Sequence, residues 1–221
     1  MVDIERYLEQ LIQQLRREFD TRLLYVGLQG SYLRGEATEH SDIDVMVVLD
    51  ELHICDLNAY RAIIKSLEGA DKSCGFLCGR DDLANWNPLE IHHLLCSTRD
   101  VYGALQPLVP GYGREDVRNF IKLSVGNLYH ELCHRYVHAP RESAVSALPG
   151  TYKGVFFILQ DLYDLRHGMF VPTRAELLSR LEGDDRAVLE RAMRLNAGEA
   201  FDFDDSFALL FRWCQQTLKA L

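Results

Sequence analysis

The chain has 221 residues, enough for one large domain or two small ones with a core of normal size. Its 48% hydrophobic and 26% charged residues are ordinary for a globular protein. A net charge of −9 argues against a dedicated nucleic-acid binder, which needs a basic surface for phosphate, but leaves room for a local basic nucleotide site.

Residues 3–19 place Ile4, Leu8, Leu11, Ile12 and Leu15 at helical spacing, with Asp3 as a candidate N-cap. Glu5, Glu9 and Arg16 interrupt that segment, so it is no signal peptide. No run reaches the roughly 18 apolar residues of a membrane span, and the chain reads as cytoplasmic. Residues 22–29 predict a buried strand that ends in the turn Gly30-Ser31. A short polar segment through Glu36 follows, then a second strand over 42–49. On that strand Asp42 and Asp44 share one face while Ile43 and Val45 take the other.

Residues 56–69 predict a helix ended by Gly69, and the small apolar run 73–79 predicts a third strand. Asp81 and Asp82 suit a helix N-terminus. Asn87-Pro88 opens another helix of about ten residues, and residues 100–105 predict a last short strand. Pro107, Pro110, Gly111 and Gly113 form the strongest linker signal, so domains are expected over 1–108 and 109–221.

Beyond the linker only helices are predicted. The first spans 114–138. The second starts near Arg141, is interrupted at Pro149-Gly150 and resumes from Thr151 to His167, with Gly168 as its C-cap. Thr173-Arg174-Ala175-Glu176 is a capping box that opens the next, through Leu181. Two more cover 184–195 and 204–220, making an antiparallel bundle.

Paired carboxylates beside a Gly-Ser turn have a recognisable chemistry. Two carboxylates on one face can hold Mg²⁺, which keeps several waters and bridges to substrate phosphates. The glycine lets backbone N–H groups approach phosphate, Ser31 adds a hydroxyl donor, and Arg34 is a planar donor fork within reach. The bland alternative for Arg34 is a surface ion pair with Glu36 or Glu39.

The string Gly30-Ser31-Tyr32-Leu33-Arg34-Gly35-Glu36-Ala37 through Ser41-Asp42-Ile43-Asp44 resembles the signature of the DNA polymerase β-like nucleotidyltransferase superfamily. Within it, the string is similar to the small prokaryotic branch of minimal and aminoglycoside nucleotidyltransferases. The resemblance covers roughly residues 22–50 and, by element order, extends loosely to 105. It implies an α+β nucleotidyltransferase fold: a small mixed sheet flanked by helices, followed by an all-α helical bundle. It implies Mg²⁺ at Asp42 and Asp44 and nucleotide phosphates at Gly30, Ser31 and Arg34. The implied reaction moves a nucleoside monophosphate from an NTP, ATP first, to a hydroxyl of a small molecule or protein. Active members usually add a third carboxylate on a later strand, and the strand 73–79 has none. The alternative is therefore a nucleotide-binding regulatory or antitoxin-like protein on the same fold. A homo-oligomer or a protein partner stays open.

Other candidates weigh less. Cys74 and Cys78 with His92 and His93 have poor spacing for structural zinc. The six cysteines are expected to be reduced and mostly buried. His130, His134 and His138 fall on one helix face, where two such histidines could bind a metal, but a polar stripe is the plainer reading. Arg135 to His138 is too short for the Arg-x4–6-His motif of HEPN ribonucleases.

Overall fold

Four strands form a mixed sheet: β1 (Leu23–Leu28), β2 (Ile43–Leu49), β3 (Ser73–Gly79) and β4 (Arg99–Tyr102), in the order β3-β2-β1-β4. The coordinates are a computed structural model and describe residues 2–221. β1 runs antiparallel to β2 and to β4, and β2 runs parallel to β3. The chain divides into two units, Met1–Tyr112 and Gly113–Leu221. It is the expected α+β architecture, a mixed sheet with helices followed by a helical region.

Alternation along β2 decides what each face does. Ile43, Val45, Val47 and Leu49 point to one side and join Leu8, Leu11 and Leu15 of α1 (Ile4–Phe19) and Ile63 of α3 (Ile54–Ser66). Met46 and Val48 point to the other side and pack with Tyr25, Cys78 and Leu83. Leu83 belongs to α4 (Arg80–Ala84), which precedes α5 (Pro88–Cys96). A strand covered on both faces must be apolar on both. Asp44 is the polar member of the second face, at the end of β2 where that cover has not yet begun. Between β1 and β2 the chain makes a single short helix, α2 (Gly30–Leu33).

Two predicted helix starts hold at single residues, whereas the helix expected over 56–69 runs Ile54–Ser66 and stops before Gly69. Asp3 caps α1, accepting from the Arg6 N–H at 3.2 Å, and Asn87 caps α5, accepting from the Leu89 N–H at 3.1 Å. α3 starts two residues earlier than its apolar spacing suggests, because Asp56 closes a capping arrangement with the His53 N–H at 2.8 Å. Asp56 is 5% exposed and also takes both terminal nitrogens of Arg22, at 3.1 and 2.6 Å. Those bonds hold its carboxyl below the usual carboxylate range. Such a group stabilises the fold at neutral pH, and that contribution is lost as pH falls through its depressed value. Asp56→Asn keeps an oxygen for the His53 N–H but removes the charge facing Arg22, and should therefore cost at most about 1 kcal/mol at pH 7 because Arg22 is partly solvated. In urea melts the gap from the parent chain should close in acid.

The second unit consists of α6 (Arg114–His138), α7 (Arg141–Tyr152), α8 (Val155–His167), α9 (Arg174–Arg180), α10 (Gly183–Asn196) and α11 (Phe203–Ala220). α6 contributes Val117, Ile121, Val125, Leu128 and Leu132 at helical spacing to a core with Phe156, Leu159 and Leu162 of α8 and Leu210 and Trp213 of α11. The expected interruption at Pro149-Gly150 is corrected. α7 runs through Pro149 to Tyr152, and the chain breaks at Lys153-Gly154 instead. The proline removes one donor, but neighbouring contacts keep the turn: Thr151 Oγ1 donates to the Ala147 carbonyl at 3.3 Å and Tyr152 is anchored by its hydroxyl to the Ser206 carbonyl at 2.7 Å. Only Cys78 and Cys214 of the six cysteines are buried, so the expectation of mostly buried thiols is also corrected. No helix among the described residues is long and apolar enough to cross a membrane.

Candidate functional site

The turn after β1 is built around Gly30. Its φ of +69° lies in the left-handed region, which glycine enters without steric cost. A Cβ placed there would fall 1.9 Å from Oδ2 of Asp44. The missing side chain is thus the space the Asp44 carboxylate occupies. Backbone pairing locks the two segments together, since the Gln29 N–H donates to the Asp44 carbonyl at 2.9 Å. Gln29 also donates from Nε2 to Thr98 Oγ1 at 2.8 Å, tying the turn to the segment just before β4.

Ser31 follows in the first turn of α2 and is half-buried. The leading N–H groups of any helix lack intrahelical partners, and here they begin beside the Asp44 carboxylate. Arg34 ends α2 and pairs through Nε with Glu36 Oε2 at 2.9 Å, with 11% of its side chain exposed. This is the ion pair that the sequence offers as the plain alternative. The pair is not purely a surface feature, because the charge of Arg34 still reaches Asp44.

Asp42 lies one residue before β2 and is exposed, while Asp44 lies on β2 and is half-buried. The strand expected over 42–49 thus begins at Ile43. Burial first, and then the charge of Asp42, push the Asp44 carboxyl above the usual carboxylate range. A hydrogen bond from Cys74 and the charge of Arg34 act in the opposite sense. Asp42 forms no ion pair among the described residues. Two carboxylates that repel one another, with no cation on the first, are hard oxygen donors that could take a divalent cation. No group of three or more His, Cys, Asp or Glu side chains among the described residues is arranged to hold a metal ion.

Sequence reasoning weighs Cys74 only as a poor zinc ligand and misses its place beside Asp44. The parallel register sets Cys74 opposite Asp44, with Ile43 opposite Ser73 and Val45 opposite Gly75. The strand position beside Asp44 therefore presents an exposed thiol. Desolvation and the Asp44 charge push that thiol up, so it stays protonated and donates to the carboxylate. Period-two alternation along 42–49 and 73–79 gives the faces, but the one-residue register that pairs 44 with 74 is visible only in the sheet. Cys78 is on the same strand but buried in the core, and His92 lies by Cys96 instead.

Known proteins resemble this chain in part of its sequence and in its fold. A family model described as nucleotidyltransferase domain matches residues 8–72. Over 43 residues the chain is 49% identical to a Methanocaldococcus jannaschii protein named for an inferred protein adenylyltransferase activity. That match covers 20% of this chain and 43% of the relative, so the chain spans less than half the length of that curated relative. Among solved structures, spectinomycin adenyltransferase AAD(9) from Enterococcus faecialis, crystallised with ATP and spectinomycin, aligns with a TM-score of 0.60. The alignment covers 97% of this chain and 99% of that one at 15% identity, a likeness of fold. A nucleotidyltransferase-like protein from Exiguobacterium sibiricum aligns with a TM-score of 0.40 at 12% identity, over 96% of this chain and 75% of its own.

Proposed function

We propose that this chain belongs to the minimal nucleotidyltransferase superfamily, whose domain model matches residues 8–72, and that it transfers a nucleoside monophosphate from an NTP, ATP first, to an acceptor hydroxyl. The observation that carries the reading is the seating of the Asp44 carboxylate in the space left by Gly30, with Asp42 beside it. Nucleotidyltransferases of this kind typically use a divalent metal, and Asp42 and Asp44 are the residues that would hold it, with Mg²⁺ the first choice. When bound, the ion would offset phosphate charge and favour the leaving pyrophosphate.

The chain's own groups have distinct tasks in this reading. Gly30 and Ser31 offer backbone N–H groups and one hydroxyl to the phosphates. Arg34, held by Glu36, adds positive charge on the same side as Asp44. In the transfer the acceptor oxygen bonds to the α-phosphorus while the bond to the bridging oxygen breaks, and pyrophosphate leaves. The acceptor proton goes to water, because the protonated Cys74 thiol is no base. The acceptor in this reading is a hydroxyl of a small molecule or of a protein; the similar proteins are named for spectinomycin and for protein adenylyl transfer.

The test is incubation of the full chain with α-labelled ATP, Mg²⁺ and a panel holding aminocyclitols and protein acceptors. Label transfer with stoichiometric pyrophosphate release is expected. Transfer no higher than that of an Asp44→Asn control with every acceptor overturns the reading.

One observation favours a second reading, a nucleotide-binding regulator with weak transfer: β3 sets a thiol, not a carboxylate, next to Asp44. The two readings separate on Cys74→Asp. A third carboxylate there should tighten Mn²⁺ binding, read by electron paramagnetic resonance, and raise transfer about tenfold, the equivalent of one 1.4 kcal/mol step. Tighter Mn²⁺ binding with no gain in transfer would favour the regulator.

A further inference from the structure

His130, His134 and His138 recur every four residues along α6 and so share one face of that helix. All three are exposed. The rings of His134 and His138 have centres 4.9 Å apart, and those of His130 and His134 are 6.1 Å apart. With Glu131, Arg135 and Ala139 they line a surface depression of about 470 Å³.

Two imidazoles that each hold one ion at about 2.0–2.1 Å bring their ring centres to roughly 5 Å. The His134–His138 pair already has that separation, and the His130–His134 pair reaches it by rotation of exposed side chains. The nearest cation does not oppose an incoming ion on its own. Arg135 Nε donates to Glu131 Oε1 at 2.8 Å, and the same carboxylate oxygen accepts from Thr151 Oγ1 at 3.3 Å. The Glu131–Arg135 pair thus adds no net charge beside the rings. Nitrogen donors select borderline transition cations, whereas Mg²⁺ prefers oxygen.

We propose that this face of α6 is a two-imidazole chelate site for one borderline divalent cation, of the class Ni²⁺, Cu²⁺ or Zn²⁺, with His134 common to both usable pairs. Water fills the remaining coordination positions, since no third side chain is in place.

Calorimetric titration of the metal-free full chain with Ni²⁺ at neutral pH tests the assignment. One nitrogen-held ion per chain is expected, distinct from any ion taken by Asp42 and Asp44, and Cu²⁺ in the same site should show two equivalent nitrogen couplings by electron paramagnetic resonance. His134→Ala breaks both pairs and should weaken Ni²⁺ binding at least tenfold. His138→Ala leaves the His130–His134 pair and should weaken it less. Both positions are exposed, so the metal-free melting temperature should not move; His134→Gln repeats the test should the alanine variant fold poorly. The competing donor pair is His92 with Cys96, whose sulfur lies 3.9 Å from Nε2 of that histidine. Unchanged Ni²⁺ affinity in His134→Ala, or loss of binding in Cys96→Ser instead, overturns the proposal.

Discussion

An Asp44→Asn chain should lose nucleotidyl transfer by on the order of 10²–10³-fold, the effect of removing a metal-holding charge worth several kcal/mol in the transition state. It should fold at least as well as the parent. The substitution keeps the shape of the side chain and leaves an oxygen to accept the Cys74 hydrogen bond. The carboxyl it replaces is raised by burial and by Asp42. A carboxyl whose folded value lies above its unfolded value is ionised at neutral pH at a cost to stability, so removing the charge removes that cost. The expected signature is therefore a pair of opposite changes: activity falls while the melting temperature stays or rises. Loss of both together would make Asp44 a structural residue. Transfer within about threefold of the parent would remove it from the reaction.

Where reasoning from sequence succeeded, the local chemistry was self-sufficient. Asp3 and Asn87 cap their helices because a short oxygen-bearing side chain before an apolar-periodic run has one good use. The buried strand ending in Gly30-Ser31 and the acidic strand start were legible for the same reason. What stayed hidden depends on partners distant in the chain. Pro149 is a helix breaker in isolation, yet α7 continues through it because Tyr152 is fastened to Ser206 of α11. α3 begins early because Asp56 caps it through the His53 N–H, and Arg22, 34 residues upstream, holds that carboxylate in place. In the candidate site, Arg34 has two readings in sequence, phosphate fork or ion pair. The sheet and turn bring it against Glu36 while leaving its charge within reach of Asp44. Cys74 is the extreme case, since its importance is set wholly by strand register. A slip of one residue would turn it to the opposite face and bring Ser73 or Gly75 beside Asp44.

Gly30→Ala should reduce transfer about 100-fold, and a matched substitution can show why. Gly30 has φ +69° and Gly35 has φ +68°, so alanine at either position meets the same backbone strain, about 1–2 kcal/mol for an L-residue in the left-handed region. The surroundings differ. At Gly35 nothing lies within 4 Å of an added Cβ, whereas at Gly30 the Cβ would fall on the Asp44 carboxylate, 1.9 Å from Oδ2 and 2.8 Å from Cγ. A carboxylate is the mobile end of its side chain, so the fold can accommodate the methyl group by moving it. That movement, on the order of 1 Å, is of the size that costs a reacting geometry about 10²-fold. The two variants should therefore melt within a few degrees of each other while their transfer rates differ widely. Mn²⁺ binding should weaken in Gly30→Ala and persist in Gly35→Ala. Equal losses of transfer in both variants would mean that the turn's backbone, and not the seat it makes for Asp44, sets the activity.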